Sequence, residues 1–536
     1  MFSRRKFLQL ATTAAVSPKF YSLADAPKDA QTKVPYLEVH PGGHFLQTSD
    51  GAPFFWLGDT AWQMMHRLTW EDCQYYLASR ARQGFTVIQM VALCEFDGLK
   101  QPNVLGQTPF KSLDLMEPND LYFDRLVQVV NLAEHYGLYV AVLPTWGDKL
   151  TAPWGEGPRI FRQENLDSSH KYSRYLAQRL RSCRNVVWML GGDRPAHVEG
   201  KSPSNWLPVW NVFAEEIREN SDHPPLILYH PQPGEQSTSV LMRNVSWLSV
   251  NGMQSGHGTG HDVPVWDWVA RDYAVSPAKP TLDLEPNYED HPVSPWPKWN
   301  PANGYFVAAD VRRQTYRSVF AGGCGVTYGH HSVWQFAGDA ADAINHAYMD
   351  WRTALNRPGA AQMMFLRNLM LSRPYFSRRP APEMVLSDER ERGRHIVATR
   401  DESGSYAFIF VPQSSMSFRV NLSLHGNRRR AWWYNLQPTR STATPSRATS
   451  SCRRAGSRSR CAMCCEYCCN ARDYERSVDD PYLRSAVGRV VEDFPFERYG
   501  VSVSPLDDRM DARLETWKQV LIDEIMDEVK DAGYVT

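Results

Sequence analysis

A chain of 536 residues exceeds the size at which one hydrophobic core keeps growing, so one large domain plus smaller units is expected. Lys+Arg and Asp+Glu both number 59, and that balance speaks against nucleic acid or an anionic membrane surface as partner. Aromatic residues make up 12% of the chain and include 18 Trp, which suits stacking on sugar rings as well as core packing.

The N-terminus reads Ser3-Arg4-Arg5-Lys6-Phe7-Leu8, runs through a mildly apolar stretch to Val16 and reaches Ala24-Asp25-Ala26. It resembles a twin-arginine export signal; the plainer alternative is a basic amphipathic helix. The apolar run is too short to span a bilayer, and nothing downstream reads as a stable membrane span. Residues 1–30 are therefore set apart as a signal, and the mature protein is expected to be exported, periplasmic or extracellular. Cys73, Cys94, Cys183 and Cys324 are scattered and suggest no disulfide framework, whereas six more cysteines crowd between Cys452 and Cys469.

From about residue 53 to 335, within a catalytic barrel expected over 31–360, short apolar runs alternate with helical patterns, the signature of repeated βα units. The runs are Phe54-Leu57, Thr86-Val91, Tyr139-Leu143, Val186-Leu190, Leu226-Tyr229, Trp247-Val250, Thr281-Leu284 and Val326-Tyr328. Eight strands close a (β/α)8 TIM barrel, an α/β fold whose strand C-termini meet at one mouth. Polar residues follow nearly every run, as in Trp146-Gly147-Asp148 and Gly191-Gly192-Asp193, and no Gly-x-Gly-x-x-Gly loop follows the first strand.

Between 361 and 438, Glu383-Ser387, His395-Thr399, Ser405-Val411, Ser417-Leu422 and Ala431-Tyr434 read as alternating strands of a small antiparallel β-sandwich. Residues 439–536 change character: Arg, Ser and the clustered cysteines give way to an acidic stretch with Leu514, Trp517, Leu521 and Ile525 on one face. Cys461-x-x-Cys464 spacing admits zinc, but no second knuckle accompanies it. The abrupt shift reads as a frame-shifted or disordered tail.

Hydrolysing a glycosidic bond takes one carboxylic acid to protonate the leaving oxygen and one carboxylate to attack the anomeric carbon or activate water. Asp193, after a strand and two glycines, and Glu285, at the end of the seventh run, fit those parts. The alternatives are a helix N-cap for Asp193, a rim salt bridge for Glu285, and Asp283 or Glu289 as the second carboxylate.

Phe55-Trp56-Leu57-Gly58-Asp59-Thr60-Ala61-Trp62, Pro144-Thr145-Trp146-Gly147-Asp148-Lys149, Trp188-Met189-Leu190-Gly191-Gly192-Asp193-Arg194, Met253-Gln254-Ser255-Gly256-His257, Glu285-Pro286-Asn287-Tyr288-Glu289 and Tyr328-Gly329-His330-His331 resemble the apiosidase-like glycoside hydrolases of family 140, over residues 36–437. The resemblance implies a barrel enzyme with a collagen-binding-type β-domain, Asp193 as acid/base, Glu285 as the second carboxylate, and terminal apiose on pectic oligosaccharides as substrate. The Arg/Cys-rich segment after Leu436 departs from the family pattern.

Around the carboxylates, Asp59, Trp62, Asp148, His230, Gln254, His257, Tyr288 and His330 are candidate sugar-binding residues. Short polar side chains match hydroxyls, and aromatic faces stack on rings. No His-x-His or His-Glu-x-x-His spacing supports a metal among His257, His330, His331 and Asp59, and no cofactor is expected. The oligomeric state is not legible. The competing classes are a non-catalytic carbohydrate- or matrix-binding barrel and, with neither triad nor zinc motif to support it, a peptidase.

Overall fold

The computed structural model describes residues 33–151, 157–198, 204–258, 260–293, 299–338, 343–387, 392–413, 416–421, 431–436 and the backbone of 461–465. The expected export signal, Trp296 and the tail apart from 461–465 lie outside the described residues. Among the described residues, no helix is long and apolar enough to cross a membrane.

Eight parallel strands form the barrel: β1 (Trp56–Thr60), β2 (Val87–Val91), β3 (Tyr139–Leu143), β4 (Val186–Gly191), β5 (Ile227–His230), β6 (Asn251–Met253), β7 (Thr281–Asp283) and β8 (Gly325–Tyr328). They follow one another around the ring, β1 beside β8, and the seam between β5 and β6 is drawn together by a 2.9 Å bond from Ser249 N to Ile227 O. Every strand residue is buried, because side chains on one face fill the interior and those on the other meet helices. Runs such as Val87-Ile88-Gln89-Met90-Val91 are therefore nearly continuously apolar rather than alternating.

A main helix follows each strand: α1 (Trp70–Arg82), α2 (Asp120–His135), α3 (Asp167–Leu180), α4 (Leu207–Glu219), α5 (Thr238–Leu241), α6 (Val265–Tyr273), α7 (Ala308–Phe320) and α8 (Pro358–Leu371), with short helical turns at Met64–Arg67, His331–Trp334 and Trp351–Ala354 in the loops after β1 and β8. In α1 the Thr69 hydroxyl accepts from Asp72 N, and Cys73, Tyr76, Leu77 and Arg80 turn inward at helical spacing. A small antiparallel sheet of Leu37–Val39, Leu46–Thr48 and Pro53–Phe54 precedes β1, where the Phe54 ring meets Tyr139 at the start of β3.

Most strands fall within a residue of expectation, and two differ by more. β1 begins at Trp56 rather than Phe54, and β6 occupies Asn251-Gly252-Met253 rather than Trp247-Val250. Gly252 explains the second difference: a Cβ there would sit 2.6 Å from Tyr229 O, so close backbone approach demands the residue that reads as a turn.

The C-terminal unit is one five-stranded sheet: β9 (Arg378–Pro380), β10 (Val397–Asp401) and β11 (Ala407–Val411) are antiparallel, and β13 (Cys461–Cys465) runs parallel between β11 and β12 (Ala431–Asn435). A five-residue piece of the expected tail thus enters the sheet. Glu383-Ser387 contributes instead a 3-10 turn and a single bridge from Val385 to Val420, and no second sheet completing a sandwich is found among the described residues. Period-two alternation serves two cores: Ala407, Ile409 and Val411 pack with Met384 and Ile396, while Phe408 and Phe410 join the barrel core. The Phe410 ring stacks on Tyr316 of α7 at 5.0 Å. Phe410→Ala is expected to cost about 3–5 kcal/mol, read as an earlier unfolding midpoint in urea.

Candidate active site

The turn after β4 is built on backbone that only particular residues accept. Gly191, Gly192 and Asp193 have φ of 94°, 102° and 57° in succession. A Cβ on Gly191 would lie 2.3 Å from His230 O, and one on Gly192 2.9 Å from Gly147 N. Both glycines are thus imposed by close approach as well as by φ. Asp193 is held in the left-handed region, a strain met at functional sites. The next helix, α4, starts only after Trp206, so Asp193 is not an N-cap.

Glu285 lies two residues beyond the end of β7, fixed between Gly256 N, which donates to its carbonyl at 2.8 Å, and Asn287 N, which donates to Gln314 Oε1 of α7 at 3.2 Å. His230, the last residue of β5 and fully buried, lies between the two carboxyl groups: Nδ1 is 3.7 Å from Asp193 Oδ1 and Nε2 3.3 Å from Glu285 Oε2. These are ion-pair contacts: Nδ1 is too far from Asp193 for a hydrogen bond, and neither ring nitrogen makes one of normal geometry. His257 Nε2 is 3.2 Å from Glu285 Oε1, and its Nδ1 accepts from Tyr288 N at 3.3 Å. That backbone contact assigns the ring proton to Nε2, so His257 donates to Glu285.

The two carboxyls are pushed apart in acidity. Burial, then the nearby charge of Glu285, raises Asp193 to about 6 against the opposing pull of His230, Arg194 and Gln254. Burial also works to raise Glu285, but the contacts and charges of His230 and His257 outweigh it and hold this carboxyl well below its usual range. His230 is raised, its burial being overcome by Glu285 and Asp193. At neutral pH a site of this kind keeps one carboxyl easily protonated and the other ionised.

Other expected residues divide between the mouth and the frame. Trp62 stands edge-on to His230 at 5.4 Å and tilted against Trp146 at 5.2 Å, Gln254 approaches Asp193, and Tyr288 packs on His257 at 4.4 Å with its buried hydroxyl unpartnered. Asp148 is fully buried and engaged by Lys149 Nζ at 2.7 Å and Gly157 N at 3.2 Å. Asp59 does not reach the mouth. Strand alternation turns it outward, where Arg80 Nε at 2.6 Å and the Tyr76 hydroxyl at 2.5 Å take up Oδ2. Nor is His330 free to meet sugar: Nδ1 accepts from Ser332 N and Nε2 faces Asp290 at 2.9 Å.

The rivals of Glu285 are occupied as well. Glu289 accepts from Tyr328 Oη at 2.6 Å and from Gly359 N at 3.1 Å, beneath α8. Asp283 is taken up by Ser255 N and Oγ, and burial first, against those bonds, raises it to about 6. β7 ends at Asp283, so strand alternation does not carry on to Glu285.

Sequence reasoning passed over Glu95, Lys149 and Arg194. Glu95, half-buried after β2, is raised first by burial and then by Asp193 and Asp148. Trp146 N donates to Leu93 O and Gly147 N to Gly192 O, tying the ends of β2, β3 and β4 into one rim. The only available signal was position just past a strand. A cavity of about 630 Å³ beside α4, lined by Asn211, Arg218 and Trp247 among others, holds none of these residues.

A nearly closed ring of eight parallel strands with two carboxyls converging at its mouth is a frame on which glycosyl hydrolases are built, and comparison with known proteins agrees. The family model described as "Apiosidase-like, catalytic domain" matches residues 40–377, and "Putative collagen-binding domain of a collagenase" matches 380–456. A solved structure described as a glycoside hydrolase is 29% identical, with 73% of this chain and 86% of that one covered and a TM-score of 0.64. A glycoside hydrolase family 5 structure from Bacteroides vulgatus ATCC 8482 is also 29% identical over 73% of this chain and 83% of its own, with a TM-score of 0.64. No curated protein matches. The chain belongs to the apiosidase-like family and is a glycosyl hydrolase.

Removing Asp59 leaves Arg80 buried without its counter-charge, so Asp59→Ala is expected to cost about 3–5 kcal/mol of stability. Chemical unfolding checks this, with KM on a cleaved substrate unchanged in the folded fraction; a higher KM at full stability would return Asp59 to the mouth.

Proposed function

We propose that the protein is an exported hydrolase that removes a terminal sugar from pectic oligosaccharides, apiosidase-like in specificity, with Asp193 as acid/base and Glu285 as nucleophile. The observation that carries this reading is the convergence of two carboxyl groups at one mouth, their nearest oxygens within 4.8 Å of each other and His230 between them, with burial and neighbouring charge pushing their acidities apart. So short a gap favours retention of configuration, since inverting enzymes hold the groups about 6.5–9.5 Å apart to admit a water.

In the first step Glu285 carboxylate attacks the anomeric carbon while Asp193 gives its proton to the departing oxygen, leaving a glycosyl ester on Glu285. In the second, ionised Asp193 takes a proton from water, and the water oxygen displaces Glu285 and releases the sugar. His257 and His230 favour ionised Glu285, the form that attacks. Long loops after β2 and β7 bring Phe96 to Trp334 at 6.1 Å and Trp299 to His291 at 4.6 Å, which supports a closed pocket and exo-action.

A panel of plant cell-wall oligosaccharides, with products followed by chromatography, tests the substrate. One monosaccharide is expected early; mixed-length oligosaccharides would mean an open groove. Asp193→Asn and Glu285→Gln are each expected to lower kcat by several orders of magnitude with folding intact, whereas loss in Glu289→Gln with Glu285→Gln active would move the second role.

The pH profile follows from the same pair. Asp193 must carry a proton in the free enzyme, so kcat/KM is expected to fall as pH rises through about 6, while the Glu285 limb lies below the ordinary carboxylate range. A flat profile between pH 5 and 8 contradicts this assignment.

A further inference from the structure

We propose that Asp193, His230 and Glu285 also form a binding site for one divalent transition-metal ion, and that occupancy closes the mouth to sugar. The second half rests on the reading of this mouth as the sugar site. One ligand atom from each of the three residues lies within 4.8 Å of the others. His230 is fully buried, and neither ring nitrogen has a hydrogen-bond partner of normal geometry; Asp193 Oδ1 and Glu285 Oε2 are likewise unpartnered and border the same gap.

His230 offers a single ion one ring nitrogen: Nε2 lies 3.3 Å from Glu285 Oε2, matching the ligand-to-ligand spacing of roughly 3.3 Å that follows from tetrahedral bonds of about 2.0–2.1 Å, and the three ligand atoms of the cluster lie within 4.8 Å of one another. Rotation of the Asp193 carboxyl toward the nitrogen beside Glu285 completes the set. One imidazole with two carboxylates suits zinc better than calcium or magnesium, which prefer all-oxygen shells, and three protein ligands leave a fourth position open. His257, bonded to Oε1, orients Glu285 so that Oε2 faces the gap. The Asp193 side chain keeps 23% of its surface exposed, which gives an ion a path from the mouth. A bound cation would engage the oxygen of Glu285 that must attack and the oxygen of Asp193 that must hold a proton, so neither step of hydrolysis proceeds.

The test is calorimetric titration of the full-length, metal-free chain with zinc chloride after its accessible thiols are alkylated, beside the isosteric Asp193→Asn/Glu285→Gln double variant. Wild type is expected to bind one more equivalent than the double variant, and His230→Gln to weaken that equivalent by about tenfold or more. Equal stoichiometry and affinity in wild type and double variant would overturn the site. On whichever oligosaccharide is cleaved, zinc should raise apparent KM, reversibly with chelator; zinc that is required for turnover would overturn closure of the mouth. Undiminished hydrolysis by Asp193→Asn would overturn the catalytic reading while leaving the titration result standing.

Discussion

The site depends on one electrostatic constraint: two carboxyl groups that share a partly dry cleft cannot both be ionised cheaply. His230 relieves it by standing between them, and His257 breaks the symmetry by donating only to Glu285. The consequence is a division of labour that two identical environments would not give. It also explains why the surrounding backbone is so tightly specified, since a displacement of Asp193 or Glu285 by an ångström would loosen the coupling through His230.

Support for Glu285 reaches a long way from the mouth. Gln314 of α7 accepts from Asn287 N and donates to Ser255 Oγ, which in turn bonds Asp283. The outer face of the same helix carries Tyr316 against Phe410 of the C-terminal sheet. The small sheet therefore buttresses the helix that fixes the β7 loop, and its apolar inner face is part of the barrel core rather than a separate surface.

Much of this was legible in the sequence because barrel strands are apolar on both faces and their ends are marked by polar residues. The Gly191-Gly192-Asp193 turn announced itself through residues that only special backbone requires. What the sequence hid was direction. Asp59 and Trp62 sit three residues apart, yet alternation sends Asp59 out to Arg80 while Trp62 joins His230. His330 and Glu289 look as exposed in sequence as His257 and Glu285, and only the packing of α8 and the Ser332 turn shows them occupied. β6 was misplaced because the residue that lets it pack, Gly252, is the one that signals a break.

The central claim is that Glu285 forms a covalent bond to the sugar, and a mechanism-based glycosidase inactivator tests it most directly. After incubation with an activated 2-fluoro glycoside of the released sugar, intact mass should rise by one glycosyl unit. Peptide mapping should place that unit on Glu285. A label on Glu289, or slow turnover of the reagent with no adduct at any carboxylate, would contradict the account.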